Sequence, residues 1–365
     1  MRMLLMVVIF SLILSGPCYA VDETDLLYPK SDIDRAKDKL PENIIDIVDS
    51  YDIYRGQGIS TALEKLWSHF AVTISESVES IWKPIVLVFM VIIICSVLEP
   101  LCITQSKTFP LLLFGCIEIM HLTLSDSRTF FMEGIEALNS LYDFSTVLLP
   151  CLAGTSVIAG ATISAGVKYT AAALFMNILL NASNTILIPL ISVYLVFVVG
   201  NTVFQQKILS VMAKFIRWGS KTALTASTVI FIAYLNVAGL ISSAGDIFAV
   251  RITKNALASA LPIVGSILSD AASSLVAGAA IVRNSVGIFG MIAVVAILII
   301  PFVELGLRYI VFLAVARMAE LFPNQRFSAL LDGIAGAYGM LLGVVGSGFI
   351  MIFLTLISFM QIVGG

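Results

Sequence analysis

The sequence predicts an all-α fold: a polytopic integral membrane helical bundle with an N-terminal signal peptide, a small extracytoplasmic helical head, and some broken or re-entrant helices. Of the 365 residues, 59% are hydrophobic and 12% are charged, whereas a soluble globular chain is about 45–50% apolar and about 25% charged. The mean hydropathy is +1.02. Residues 21–83 carry 20 charges, and the much longer stretch 84–365 carries 24. This composition excludes a disordered tail, a nucleic-acid-binding protein with a basic stripe and an ordinary cytosolic enzyme.

Residues 1–20 have the pattern of a cleavable secretory signal peptide. An apolar run from Leu4 to Leu14 follows Arg2, and a Gly-Pro pair separates it from small residues at positions −3 and −1 before Val21. The run is too short to span a membrane with margin. An uncleaved N-terminal anchor is the alternative, and lipidation at Cys18 is disfavoured because a proline precedes it. In each case the chain from Val21 onward begins on the outer face of a membrane.

Residues 21–83 are predicted to form the extracytoplasmic head. A short amphipathic helix follows Pro41, and a second helix begins at Ser60 with Glu64 in its first turn. Trp67 and Trp82 suit the lipid headgroup layer. The second helix therefore lies against the membrane surface or, alternatively, packs against the protein's own core. A head of this size is too small to hold a catalytic domain comfortably.

Residues 84–365 are predicted to form a polytopic membrane domain. A spanning helix needs about 20 apolar residues. Because some of the runs are short, we expect about seven spans, give or take two. Four bases without an acid, from Lys207 to Lys221, predict a cytoplasmic loop. The apolar runs are 84–103, 109–125, 146–165, 169–187, 188–205, 222–243, 284–303, 305–322 and 334–362.

Two segments share an interrupted pattern. Leu-Pro pairs at Pro150 and Pro262 are each followed by a glycine sixteen residues after the proline, and then by a base, Lys168 or Arg283. Proline and glycine interrupt helices, and paired broken helices can mark an internal repeat around a membrane site. Chance matching among helices rich in Ala, Gly and Leu is the alternative.

The stretch 254–284 holds the strongest candidate polar site. Asp270 lies among apolar residues, and small or polar residues share its helix face. A carboxylate there needs a base or a wet cavity, because facing lipid is costly; Lys254 and Arg283 are the candidate partners. A helix-packing ion pair with no transport role is the alternative. The candidate polar positions are Lys254, Pro262, Gly265, Asp270, Gly278, Arg283 and Asn284.

Two further features suggest packing or polar sites. Glu118 and His121 form a polar pair three residues apart, but no further His or Cys offers the spacing of a metal site. A glycine stripe in the last apolar run allows a neighbouring helix to approach closely, within the molecule by default and alternatively between copies. The stripe consists of Gly336, Gly339, Gly343 and Gly346.

The sequence lacks the motifs of common catalytic centres. No phosphate-binding glycine loop, nucleophile elbow or His-Glu-x-x-His motif occurs, and the chain has two histidines. The cysteines that follow the signal peptide lie in or beside apolar runs without paired spacing, so disulfides are not indicated. We therefore expect no enzymatic activity, no catalytic residues and no cofactor or metal.

From Lys254 to Gly290 the sequence resembles the stage III sporulation protein AE family. The resemblance covers about residues 84–360, is most specific at 251–290 and weakest in the head. Arg283 departs from it, since lysine is more usual at this position. The matching residues are Leu261-Pro262-Ile263-Val264-Gly265, Leu268-Ser269-Asp270-Ala271, Arg283-Asn284-Ser285-Val286-Gly287 and, upstream, Leu148-Leu149-Pro150.

The resemblance implies a protein of an endospore-forming bacterium, in the mother-cell membrane around the forespore. It implies a transenvelope complex with other stage III sporulation operon proteins and stage II sporulation protein Q. That complex would act as a secretion-like channel supporting forespore development and late sigma-factor activity. The expected partners also include the lipid bilayer and a second copy of the chain, but no nucleic acid. A self-sufficient secondary transporter, with a midplane site at broken helices around Pro150 and Pro262, is the alternative.

Overall fold

The computed structural model describes residues 30–52, 58–101, 105–124, 127–260, 265–322 and 325–361. The predicted signal peptide, residues 1–20, lies outside this part of the chain. The described residues form helices joined by short turns, with no β-strand. The helices are α1 (Lys30–Lys37), α2 (Glu42–Val48), α3 (Ile59–Leu98), α4 (Gln105–Leu124), α5 (Ser127–Ile158), α6 (Thr162–Ala182), α7 (Ile188–Phe204), α8 (Lys207–Ala260), α9 (Gly265–Ala319) and α10 (Gln325–Met360).

The predicted fold class, an all-α polytopic membrane protein, is confirmed. Among the described residues, six helical stretches are long and apolar enough to cross a membrane. The sequence predicted about seven spans, give or take two. The apolar part of α4, Pro110–Thr123, is shorter than a full span, as the marginal run there suggested. The six candidates are Ile59–Leu98, Gly134–Ile158, Thr162–Phe204, Lys207–Gly239, Val276–Ala319 and Gln325–Met360.

Several predicted segments are joined into longer helices. The second head helix and the first apolar run form one helix, α3, which continues through Pro84, so the boundary predicted at residues 83 and 84 falls inside a helix. The runs at 284–303 and 305–322 both belong to α9, which continues through Pro301. A π-helical turn at Ser183–Leu187 connects α6 to α7. Proline removes one helical hydrogen bond, and membrane helices tolerate this loss when neighbouring helices support them.

The helix break predicted at Pro150 is wrong. Helix α5 continues through Pro150 to Ile158, and the chain turns at Gly160, where φ is 84°. This left-handed conformation carries little steric cost only for glycine. The matching break at Pro262 lies outside the described residues.

The segment Lys207–Lys221, predicted to be a loop, is helical and forms the first turns of α8. The apolar periodicity around its bases continues directly into the span. The turn that directly precedes α8 is at residues 205 and 206, where Gln205 has a φ of 51°.

Helices α9 and α10 form the centre of the bundle and pack against each other more extensively than any other pair among the described residues. Phe312 stacks on Tyr338 across their interface, with ring centroids 5.5 Å apart. Helices α5 to α8 pack around this pair, and α3 packs on α9. In the head, α1 packs against α5 and α2 against α9.

Candidate functional site

Buried ionisable side chains mark the candidate site. Lys168, Asp246 and Arg283 are all less than a tenth exposed, although each lies in a long, largely apolar helix. Ionisable groups inside a membrane protein are costly and are therefore functional-site candidates. We call these three residues the buried ion cluster.

Asp246 of α8 binds the first turn of α6. Its two carboxylate oxygens accept hydrogen bonds from the backbone N–H groups of Ile163, at 2.8 Å, and Ser164, at 2.9 Å. The residue before α6, Ala161, supplies no side-chain cap. The first N–H groups of a helix lack partners within it and form the positive end of its dipole. Asp246 therefore satisfies this helix end from a distant part of the chain.

Lys168 joins the same region to the end of α10. Its Nζ donates a hydrogen bond to the backbone carbonyl oxygen of Ser358, and it interacts electrostatically with both Asp246 and Arg283. A Cβ atom at Gly239 would lie 3.9 Å from the lysine Cε, so α8 passes close to the lysine stem. The buried ion cluster thus connects α6, α8, α9 and α10.

The two bases identified by the repeated sequence pattern, Lys168 and Arg283, lie in this one cluster. The sequence analysis did not identify their carboxylate neighbour, Asp246. A signal was present, because residues 207–245 contain no acid and Asp246 is the first carboxylate after a long apolar stretch.

The pairing predicted for Asp270 remains a prediction. The side chains of Asp270 and Lys254, and the whole of Pro262, lie outside the described residues. Gly265 begins α9, Gly278 is partly buried and Asn284 is exposed. Of the predicted polar stretch, the structure therefore describes only Arg283 as part of a buried charge cluster.

A second ionic group lies at the other end of these helices. Arg217 of α8 pairs with Asp332 of α10 at 3.2 Å, and Arg317 lies 3.6 Å from Asp332 and 2.6 Å from Glu320. These side chains are at least one-third exposed, so each pair contributes at most about 1 kcal/mol. We call these four residues the Arg217 network.

The two ionic groups are separated by about the thickness of a bilayer. Asp332 and Ser358 are 26 residues apart on α10, and Arg217 and Asp246 are 29 apart on α8. At 1.5 Å per helical residue these separations are about 39 and 44 Å. A bilayer with its headgroups is about 40–45 Å thick. The spanning parts of α8 and α10 therefore lie between two charged layers.

The other polar candidates are not grouped into a site. On α4, Glu118 is partly buried and His121 is exposed. Within the part of the chain that the structure describes, no group of three or more His, Cys, Asp or Glu residues could hold a metal ion. Cys95, Cys116 and Cys151 are buried.

The glycine stripe of α10 faces three neighbouring helices, α7, α8 and α9. A Cβ atom at Gly336 would collide with the Tyr194 hydroxyl, and one at Gly339 would lie 3.1 Å from the Tyr309 ring. At Gly343 and Gly346 the nearest atoms, on Leu224 and Phe302, would lie at ordinary distances of 3.4 and 3.9 Å. These contacts are within one copy of the chain. Outside the predicted stripe, a Cβ atom would also collide with a neighbouring side chain at Gly287, Gly290, Gly333 and Gly348.

The fold and the two ionic groups define a polytopic α-helical membrane protein with charged contacts at both ends of its bundle. The family model for stage III sporulation protein AE matches residues 46–363, and the chain belongs to this family. It is 25% identical over 187 residues to the stage III sporulation protein AE of Bacillus subtilis (strain 168), which is 51% of this chain and 47% of that protein. The chain thus matches about half the length of this curated relative. No solved structure matches the chain.

Proposed function

We propose that this protein is a membrane core subunit of a sporulation-specific transenvelope complex, which works as a secretion-like channel between mother cell and forespore. It is located in the mother-cell membrane with its head extracytoplasmic. Its partners are the other stage III sporulation operon proteins and stage II sporulation protein Q. The complex supports forespore development and late sigma-factor activity, and the chain itself is not an enzyme. Membership of the sporulation family supports this assignment.

The length of α3 is the structural observation that carries the proposal. Its 40 residues extend about 60 Å, twice the roughly 30 Å of a hydrocarbon core. Its first 21 residues carry Glu64, Lys65, Glu76 and Glu79 and therefore project beyond the lipid. Lys65 donates a hydrogen bond to the Asp46 carbonyl of the head at 3.1 Å. A helix that extends beyond the lipid and contacts the head there suits a subunit that meets partners in an intermembrane space.

The number of spans agrees with this orientation. Three of the six candidate spans precede Lys207. If the chain starts outside, three crossings bring Lys207 and Lys221 to the cytoplasmic side, where basic residues are favoured. The six spans then return the end of α10 to the outer side.

A secondary transporter is the second candidate, and the buried ion cluster is the observation that favours it. Ionisable groups inside membrane proteins often mark ion pathways. Lys168 of the cluster lies near the end of its helix, however, six residues after the start of α6. The continuity of α5 through Pro150 also removes one of the two broken helices on which a midplane site depends.

Replacement of Asp270 separates the two functions. We expect Asp270→Asn to reduce several-fold the amount of stage III operon proteins that co-purify with the tagged chain from sporulating cells. Asp143→Asn, an exposed carboxylate on α5, is the matched control and should leave co-purification unchanged. A transporter predicts normal co-purification of Asp270→Asn with loss of solute flux. Transport of a solute by the purified chain alone in liposomes would overturn the subunit function.

A further inference from the structure

The first turns of α8, Lys207–Lys221, expose an apolar stripe. Its large apolar side chains are between 41% and 63% exposed. They lie at positions i, i+3, i+4, i+7 and i+10, so that they share one helix face. The rings of Phe215 and Trp218 lie beside each other, with centroids 6.0 Å apart. We call this face the α8 stripe, and it consists of Ile208, Val211, Met212, Phe215 and Trp218.

Lysines follow one edge of the α8 stripe. Lys207, Lys214 and Lys221 are each seven residues apart, close to two helical turns, and all are exposed. We call these residues the lysine row. Lys214 lies four residues before Trp218 and Lys221 lies three residues after it. Side chains at these spacings are neighbours on a helix surface, so two positive charges lie on either side of the Trp218 ring.

The carboxylates of the Arg217 network do not neutralise the lysine row. Asp332 lies 3.2 Å from Arg217, and Glu320 lies 2.6 Å from Arg317. Helix α8 itself contains no acid before Asp246. Within the described ranges of the chain, no carboxylate forms a salt bridge with the lysine row. An uncompensated positive charge therefore lies beside an exposed apolar surface.

The length of the span brings this face to the membrane boundary. The candidate span Lys207–Gly239 has 33 residues and extends about 50 Å. Its bases all lie in 207–221, and residues 222–239 are uncharged. The uncharged part is about 27 Å long, close to the roughly 30 Å of a hydrocarbon core. Trp218 and Lys221 therefore lie where the core meets the headgroup layer, a position that tryptophan favours.

Anionic lipid complements this face better than other occupants do. A basic amphipathic helix contacts acyl chains with its apolar side chains and anionic headgroups with its bases. A zwitterionic headgroup has no net charge to balance the lysine row. A second copy packed symmetrically would bring its own lysine row to the same contact, where like charges repel.

We propose that this face of α8 binds anionic phospholipids, with Lys214 and Lys221 contacting the headgroup phosphates on either side of Trp218 and the α8 stripe contacting the acyl chains. The inference goes beyond the proposed function. It depends neither on a partner protein nor on which side of the membrane the lysine row faces.

Fluorescence quenching by brominated lipids tests this binding. Trp67→Phe and Trp82→Phe, both at exposed positions, leave Trp218 as the single tryptophan of the full chain. The chain is reconstituted into vesicles of equimolar phosphatidylcholine and phosphatidylglycerol, with bromine on the acyl chains of either one lipid or the other. We expect phosphatidylglycerol to be preferred beside Trp218 by about fivefold at low salt, because lysines near a membrane surface attract anionic lipid. Added salt should reduce this preference.

Matched variants test the role of the lysines. Lys214→Gln combined with Lys221→Gln should remove most of the preference at Trp218 without disturbing the fold, because both side chains are exposed. Lys39→Gln, an exposed base of the head, is the control and should leave the preference unchanged. A second reporter chain keeps only Trp82, which lies between the opposite charges of Glu79 and Lys83, and it should show no preference for either lipid.

Each other outcome contradicts a part of the proposal. Equal quenching of Trp218 by the two lipids, or the same preference at Trp82, overturns selective binding of anionic lipid by this face. Quenching of Trp218 by neither lipid shows that protein, such as a second copy, covers the α8 stripe. A preference that persists in the double lysine variant overturns the role of the lysines. Because these measurements need only the chain itself, their failure is distinguishable from a failure to co-purify partners.

Discussion

Asp246 caps the amino terminus of α6, although a helix is usually capped by the residue immediately before it. Both of its carboxylate oxygens accept backbone N–H groups, at Ile163 and Ser164, and Lys168 adds a nearby positive charge. In a low-dielectric interior each of these interactions is stronger than in water, and each becomes costly when one partner is removed. The stability of this corner of the bundle therefore depends on a few individual side chains.

We expect Asp246→Asn to lower the free energy of unfolding by about 1–3 kcal/mol, because one buried N–H loses its acceptor and Lys168 loses its neighbouring negative charge. Thermal unfolding in detergent measures this effect. Asp332→Asn, in the half-exposed Arg217 network, is the matched control and should cost at most about 1 kcal/mol. Equal destabilisation by the two variants would contradict the role assigned to Asp246.

At the scale of elements, the close packing of α10 depends on which neighbour each glycine meets. Gly333 faces the branched side chain of Val198, so that a Cβ atom would collide with it, whereas Gly343 leaves an ordinary 3.4 Å distance to Leu224. Small residues allow membrane helices to approach each other closely. The tightest glycine contact of α10, at Gly333, thus lies outside the glycine stripe predicted from spacing.

Gly333→Ala should destabilise the bundle by about 1–3 kcal/mol through overpacking, and Gly343→Ala should have little effect. Temperature-dependent aggregation of the purified variants in the same detergent gives the comparison. A larger loss of stability in Gly343→Ala than in Gly333→Ala would show that the contact of Gly333 with α7 is not tighter than the contact of Gly343 with α8.

At the scale of the whole molecule, the six candidate spans place the turns between helices on defined sides. The turns before α8 and before α10 follow the third and fifth spans and share one side, whereas the turn between α5 and α6 follows the second span and lies on the other. Together with the basic start of α8, this order predicts that the turns before α8 and before α10 are cytoplasmic.

Labelling of intact cells with a membrane-impermeant maleimide tests this arrangement. We expect exposed reporters at Gln206→Cys and Leu321→Cys to be labelled only after the membrane is permeabilised, and Thr162→Cys to be labelled in intact cells once the cell wall is removed. Labelling of all three sites from the same side would contradict the six-span arrangement.

The sequence by itself determined the class of the protein and its family. Lipid as a solvent requires apolar side chains over about 20 residues for each span, so composition and run lengths predict an all-α membrane bundle without knowledge of any contact. The residues between Lys254 and Gly290 were enough to identify the stage III sporulation protein AE family, which the family match confirms. The candidate bases Lys168 and Arg283 were also visible as charges after apolar segments.

The tertiary structure decided which of these residues meet. Asp246 binds α6 across 83 residues and Lys168 reaches Ser358 across 190, distances in sequence over which local pattern carries no information about pairing. The structure likewise decided that α5 continues through Pro150 and that the turn falls at Gly160. The physical reason is the same in each case, because the cost of a buried charge or a missing hydrogen bond depends on what the neighbouring helices supply.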